Sequence, residues 1–106
     1  MASEPEPARR QCNHMRERLS EDQVGVALRE LKGWRSADSK IEKVYEFPTY
    51  KDGLVFACAV GYLADKMDHH PDLTIGYRRV DVSLSTHDAG GITEFDLRLA
   101  KKIETL

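Results

Sequence analysis

The chain has 106 residues, of which 41% are hydrophobic and 32% are charged, and its formal net charge at pH 7 is −2. This length suits one domain, and the composition is that of a globular protein rather than a fibrous or membrane-spanning one. The near balance of acidic and basic residues argues against general nucleic-acid binding, which needs a basic face. No apolar run approaches the ~20 residues that a membrane helix requires.

The beginning of the chain predicts a flexible tail over residues 1–18, because Glu, Pro and Arg are scattered there without apolar periodicity. The folded domain is expected to span residues 19–106. The opening sequence MASEPEPARR lacks a secretory hydrophobic region. Cys12 and Cys58 form neither a CxxC motif nor a disulfide framework, which favours a reducing compartment and a cytoplasmic location.

The first predicted elements are a helix and a strand. Ser20 begins a capping box for the helix, and Gly33 is expected to end it. Trp34 then leads towards a strand, with a turn at residues 37–39. Apolar and polar residues alternate over residues 41–47, which predicts a further strand.

The second half of the chain begins with a helix. Pro48 stops the preceding strand, and Thr49 can cap a helix that should end before Pro71, because the residue preceding a proline disfavours helical angles. Two strands are predicted at residues 73–77 and 79–86.

The last predicted helix follows a glycine turn at residues 90–91. Thr93 and Asp96 form its capping box, and it runs to about Glu104. One apolar series belongs either to the core or to a face that packs against another protomer: Phe95, Leu99, Ile103 and Leu106. The order of elements predicts an antiparallel sheet with helices packed on one face, an α+β two-layer sandwich.

Three histidines lie at the ends of predicted elements, where side chains commonly line clefts: His69, His70 and His87. An unperturbed imidazole has a pKa of about 6.5, so it can donate or accept a proton at neutral pH. Asp65 and Asp68 precede the histidine pair. Since Asp65 and His69 are four residues apart, they would meet on one face if the helix continued that far.

The residues alone leave three interpretations of these histidines open. They are surface side chains without a role, or zinc ligands together with an aspartate, or groups for acid–base catalysis without a metal. No HxH or HExxH spacing supports the zinc site. Asp96 is first of all a helix cap, and the glycine pair lacks the sequence context of a phosphate-binding loop.

The stretch from Asp65 to Ala100 resembles the pterin-4a-carbinolamine dehydratases. The residues that carry the resemblance are Asp65-Lys66-Met67-Asp68-His69-His70-Pro71, Tyr77, Val80, Thr86-His87-Asp88 and Gly91-Ile92-Thr93-Glu94-Phe95-Asp96. Gly33-Trp34 and the strand that ends at Phe47 are also similar to the family, so the resemblance spans about residues 20–104. Two departures are Asp65, where many members have Glu, and Leu73, where many have Trp.

The resemblance implies a hydro-lyase that dehydrates 4a-hydroxytetrahydrobiopterin to quinonoid dihydropterin and so recycles the cofactor of aromatic amino-acid hydroxylases. It implies acid–base catalysis without a metal or redox cofactor, on a four-stranded antiparallel sheet backed by helices. His69, His70 and His87 would be catalytic, with His69 and His87 in the acid and base roles and His70 holding the ring.

By the same resemblance, further residues would bind or orient the substrate or the histidines: Asp65, acting on His69, together with Asp68, Asp96, Trp34 and Pro71. The expected partners are a small-molecule pterin and further copies of the chain, as a homodimer or homotetramer, with neither nucleic acid nor membrane. The alternative is a non-enzymatic dimerisation or assembly cofactor on the same fold, because some family members serve in that way.

Overall fold

A computed structural model describes residues 16–106 of the chain. In chain order the elements are α1 (Glu21–Leu28), β1 (Arg35–Ala37), β2 (Lys40–Glu46), α2 (Tyr50–Met67), β3 (Asp72–Gly76), β4 (Arg79–Leu84), a short 3₁₀ helix (His87–Ala89) and α3 (Glu94–Glu104). The strands form one antiparallel sheet in the order β1-β2-β4-β3. The predicted α+β fold is therefore confirmed. Most of the predicted tail, residues 1–15, lies outside the described residues.

The sheet places its apolar side chains on one face because strand residues alternate in direction. Ile41 of β2 lies opposite Leu84 of β4, and Tyr45 lies opposite Val80. Ile41, Val80 and Leu84 are fully buried, whereas Glu42 and Asp81, on the opposite face, are only partly buried. One sheet face is thus apolar and covered by helices, as the sequence predicted.

The helices complete the core above this face. Val60 of α2 and Leu99 and Ile103 of α3 are almost completely buried among the sheet residues. Leu99 and Ile103 therefore belong to the core, the first of the two predicted alternatives for the apolar series of α3. Leu106, at the end of that series, is exposed. No helix within residues 16–106 is long and apolar enough to cross a membrane.

Two chain reversals bring different parts of the chain towards the beginning of α3. Helix α2 ends at Met67, and Asp68 takes a left-handed conformation with φ of 52°. This turn places His69 outside the helix. After β4, the backbone N–H of Thr86 donates to the carbonyl oxygen of Gly91 at 2.8 Å, which closes a short loop around the 3₁₀ helix. Asp68, His69 and Thr86 all line one cavity near α3.

The end of α3 is tied to the sheet through Glu104. Its carboxylate accepts hydrogen bonds from Trp34 Nε1 at 3.2 Å, from Lys43 Nζ at 2.7 Å and from the Tyr45 hydroxyl. Burial alone would raise the pKa of Glu104, but these donors outweigh it and hold the pKa below its ordinary value. Burial, together with the adjacent carboxylate, raises the pKa of Tyr45. Trp34 is thus a buried core aromatic with its N–H satisfied.

Candidate active site

Asp96 is a fully buried carboxylate at the beginning of α3. Its Oδ2 atom accepts hydrogen bonds from the Thr93 backbone N–H and from the Thr86 hydroxyl, both at 2.9 Å. These donors satisfy the Oδ2 atom although no solvent reaches it, and the carboxylate lies at the positive end of the α3 dipole. The predicted capping box is therefore present, and it fixes the orientation of the carboxylate.

The second oxygen of Asp96 contacts His69. Asp96 Oδ1 lies 2.5 Å from His69 Nε2, and the His69 side chain is only 13% exposed. The His69 backbone is held in turn, because its N–H donates to the carbonyl oxygen of Ala64 at 3.1 Å. A carboxylate that already accepts two hydrogen bonds favours a proton on Nε2, so that Nδ1 is the basic nitrogen of the neutral ring.

His69 forms part of the wall of a cavity of about 550 Å³. This volume lies within the range of roughly 300–1,000 Å³ that is usual for small-molecule sites. The Phe95 ring centroid is 5.9 Å from that of His69, with 33° between the planes, so an aromatic face adjoins the imidazole. The cavity therefore combines a held imidazole, an apolar ring and polar groups, and its lining residues are Arg16, Met67, Asp68, His69, Thr86, Asp88 and Phe95.

His70 and Asp65 form a separate, exposed pair. Their Nε2 and Oδ1 atoms are 3.2 Å apart, and the two side chains are 60% and 83% exposed. The expectation that Asp65 orients His69 is wrong, because the left-handed Asp68 turns the chain and brings His70, five residues after Asp65, to that carboxylate. His69 instead contacts Asp96, which lies 27 residues further along the chain.

His87 lies at the first position of the 3₁₀ helix, between two residues of the cavity lining. Thr86 and Asp88 line the cavity, whereas the His87 side chain is exposed and does not contribute to the lining. Pro71 follows His70 and is half-buried directly before β3. The structure thus brings His69, Asp68 and Asp96 together and leaves the rings of His70 and His87 outside the wall.

Some lining residues were not predicted from the sequence as site residues. Thr86, Asp88 and Phe95 belong to motifs of the resemblance, so a motif-based search would have found them. Arg16 lies in the segment that was predicted to be a tail, where no pattern pointed to it. Within residues 16–106, no group of three or more His, Cys, Asp or Glu side chains is placed to hold a metal ion.

Comparison with protein families gives a match to nearly the whole described part of the chain. The matching family model is described as pterin 4 alpha carbinolamine dehydratase and covers residues 17–106. The chain belongs to this family. The resemblance found in the histidine motifs is therefore confirmed.

Members of the pterin 4 alpha carbinolamine dehydratase family from distant organisms are similar over most of their length. A relative from Sulfurisphaera tokodaii is 45% identical over 89 residues, which are 84% of this chain and 96% of the relative. Another from Mesorhizobium japonicum is 44% identical over 90 residues, 83% of this chain and 92% of the relative. Both carry the provisional name pterin-4-alpha-carbinolamine dehydratase.

Two solved structures share the fold. A crystal structure of a transcriptional coactivator/pterin dehydratase from Brucella melitensis has a TM-score of 0.80 and 36% identity, and the match covers 84% of this chain and 97% of that one. A pterin dehydratase-like protein, described as a RuBisCO assembly factor in the alpha-carboxysome, has a TM-score of 0.56 and 18% identity over 68% of this chain and 83% of that one. The second likeness concerns the fold alone.

Proposed function

We propose that the protein catalyses the dehydration of 4a-hydroxytetrahydrobiopterin to quinonoid dihydropterin and so recycles the cofactor of aromatic amino-acid hydroxylases. The observation that carries this proposal is His69, which the buried Asp96 holds in the wall of a cavity large enough for a bicyclic ligand. Membership of the family supports dehydration of a pterin carbinolamine as the reaction. The contact between Asp96 and His69 supports His69 as a group that transfers a proton in this reaction.

The reaction needs one proton delivered and one removed. Hydroxide is a poor leaving group, so a general acid must protonate the 4a-hydroxyl as the C4a–O bond breaks. A base takes the proton from N5, and the electron pair of that N–H bond forms the new C4a–N5 double bond. The products are water and the quinonoid dihydropterin, with no net oxidation or reduction. A positioned general acid or base typically accelerates such a step by ~10²–10⁴-fold.

His69 is suited to proton transfer through Nδ1. The buried Asp96 fixes the ring and holds the proton on Nε2, so the neutral imidazole presents a basic Nδ1 and the imidazolium presents an acidic one. We assign the complementary transfer to His87, beside the cavity, and the role of holding the ring chiefly to His70. His87 is exposed and lies between two residues of the cavity lining, so we expect its ring to turn towards a bound substrate. Catalytic contacts often form only in the substrate complex.

The test is the loss of absorbance of enzymatically generated 4a-carbinolamine, measured for the unchanged protein, His69→Gln and His87→Ala. We expect His69→Gln to lose at least ~10²-fold in kcat, because glutamine can still donate a hydrogen bond to Asp96 but cannot titrate. Circular dichroism and thermal melting establish that each variant is folded. A His69→Gln rate within threefold of the unchanged protein would refute the assignment.

The alternative function is a binding role without catalysis. The Brucella melitensis protein, which is described as both coactivator and dehydratase, motivates this second candidate. In that case the unchanged protein, His69→Gln and His87→Ala would all leave the carbinolamine to decay at its spontaneous rate. Acceleration that is lost in His69→Gln would exclude a purely non-enzymatic role.

A further inference from the structure

The Phe95 ring lies in the wall of the cavity beside His69 rather than in the packed core. Leu99 and Ile103, which follow it in the apolar series of α3, are buried in the core. Within residues 16–106, Phe95 belongs neither to the buried core nor to the half-buried apolar side chains that pack against it. Its side chain is half-buried and forms part of the cavity lining. Core packing therefore does not explain an aromatic residue here.

The beginning of α3 does not require an aromatic side chain at Phe95 either. Thr93 and Asp96 form the capping box, and Glu94 and Asp96 supply the acidic groups that the first turn of a helix favours. Covering the exposed part of an apolar ring is favourable, because the apolar surface leaves water. A half-buried phenyl ring in a cavity wall is therefore suited to contact with a ligand.

Phe95 and His69 together present two adjoining aromatic rings to a ligand. Their ring centroids are 5.9 Å apart, and their planes are inclined by 33°. A flat ring that stacks parallel to Phe95 is then inclined by the same angle to the imidazole. An N–H bond at the edge of that ring can still donate to an imidazole nitrogen, because hydrogen bonds weaken steeply only at angles below about 120°.

The other lining residues suit a flat ring that carries hydrogen-bond donors along its edge. Met67 adds apolar surface beside Phe95, whereas Asp68 and Asp88 supply carboxylate oxygens. A pterin has two flat faces, and its amino group and ring N–H groups are donors that carboxylates accept. Stacking on Phe95 would thus hold the faces of a pterin ring, while its edge remains available to the polar groups.

The proposed reaction flattens the ring at the carbon atom that loses its hydroxyl. C4a has four single bonds in the carbinolamine and becomes trigonal as the C4a–N5 double bond forms. A flat conjugated ring stacks more closely on a phenyl face than a puckered ring does. The contact with Phe95 therefore strengthens towards the transition state, and an interaction that strengthens in this way raises kcat.

We propose that Phe95 is the residue on which the pterin ring stacks, and that this contact favours the ring as it flattens in the transition state. The inference rests on the proposed dehydration at His69 and adds a binding residue to it. It gives Phe95 a role in the site, whereas the sequence pattern alone placed this residue in the core or on a face between protomers.

The experiment compares the unchanged protein with Phe95→Leu and Phe95→Tyr in two measurements. Quenching of pterin fluorescence gives the Kd of biopterin, a stable pterin with a flat ring, and the loss of carbinolamine absorbance gives kcat and KM. For Phe95→Leu we expect Kd to rise at least ~5-fold and kcat to fall at least ~3-fold, as for a lost stack between a base and an aromatic side chain. Phe95→Tyr keeps the aromatic face and should retain both values within about threefold.

Phe56→Leu is the matched control. Phe56 packs against the core, its ring centroid lies 4.5 Å from that of Tyr45, and it is not part of the cavity lining formed by the described residues. This substitution should leave the Kd of biopterin and kcat unchanged in the folded protein. It should also lower the melting temperature more than Phe95→Leu does, because it removes a ring that packs against the core.

Equal Kd and kcat values for the unchanged protein and Phe95→Leu would overturn the stacking contact while leaving the dehydratase function in place. A higher Kd with an unchanged kcat would overturn the preference for the flattened ring. If the unchanged protein binds biopterin through Phe95 but does not accelerate dehydration, the proposed function fails together with the effect on the transition state, while the stacking contact is supported. Absence of both binding and acceleration would overturn both proposals.

Discussion

At the scale of single residues, Asp96 joins the folding of α3 to the chemistry proposed for His69. One carboxylate oxygen caps the helix through Thr93 and accepts from Thr86, and the other holds the imidazole. The helix cap therefore fixes the direction in which the catalytic nitrogen points. A substitution that keeps the cap but alters the second oxygen separates the two roles.

Asp96→Asn is that substitution. If the amide oxygen keeps the bonds from Thr86 and Thr93, the amide NH₂ faces His69 Nε2, which must then accept a hydrogen bond. The neutral ring moves its proton to Nδ1 and loses its basic nitrogen on the cavity side. We expect kcat to fall at least ~10²-fold, with a loss of stability on the order of 1–3 kcal/mol.

Kinetics, thermal melting and the nitrogen NMR shifts of the His69 ring measure the three effects of Asp96→Asn. Asp52→Asn is the matched control, since Asp52 is an exposed aspartate near the beginning of α2. A variant that keeps both its rate and the original tautomer would contradict the role of Asp96.

The sequence predicted Asp96 as both cap and site residue, but it paired His69 with the wrong carboxylate. Spacing rules describe neighbours within a continuing helix, and they place Asp65 beside His69. The left-handed conformation of Asp68 ends that helix, and nothing in the spacing revealed it. The contact between His69 and Asp96 depends on the packing of α3, which local patterns do not encode.

At the scale of elements, the contacts of Glu104 join α3 to β2 and make the stability of this junction depend on pH. The pKa of Glu104 is lowered in the folded state, so its stabilisation is complete above the ordinary carboxyl pKa of 4.5 and is lost as the pH falls below it. The pKa of Tyr45 is raised in the folded state. The stabilisation that its protonated hydroxyl contributes is therefore lost as the pH rises past the ordinary value of 10.0.

Glu104→Gln should therefore reduce the free energy of unfolding at pH 7 by on the order of 1 kcal/mol, because the pair is partly exposed. The difference from the unchanged protein should shrink as the pH falls below the ordinary carboxyl pKa of 4.5 and through the lowered pKa of Glu104, because the unchanged carboxylate is protonated there. Urea denaturation at these pH values measures it. Glu30→Gln, an exposed glutamate, is the control, and a difference that stays constant with pH would be contrary to expectation.

Element boundaries show what the sequence could and could not predict. The capping residues predicted the beginnings of the three α-helices that lie within residues 16–106, because each cap satisfies backbone N–H groups locally. The short β1 strand was not delimited, since three residues carry little alternation. The strand is defined by its pairing with β2 across a turn in which Asp38 and Ser39 both have positive φ. This pairing exists only in the folded hairpin, so the local sequence pattern does not reveal it.

At the scale of the whole molecule, α2 presents an apolar surface to solvent. Val55, Cys58 and Tyr62 are exposed on its outer side, and Val55 and Tyr62 are seven residues apart, two turns of one helix face. Helix residues of this kind in a small domain are commonly covered in an oligomer. The surface supports the expectation of a homodimer or homotetramer, which the sequence suggested through the family and through the limited core of a short chain.

Light scattering after size-exclusion chromatography should therefore give the mass of two or four chains. Tyr62→Glu should lower this mass, because it places a charge in the centre of the apolar surface and must desolvate it on association. Tyr77→Glu is a close control, since Tyr62 and Tyr77 are 76% and 77% exposed but Tyr77 lies in the β3–β4 turn, away from α2. A monomeric unchanged protein, or equal masses for it and Tyr62→Glu, would show that α2 does not join the subunits. If only Tyr77→Glu dissociates the oligomer, the interface lies at the turn instead, because a charge disrupts association only where the side chain is buried by the partner.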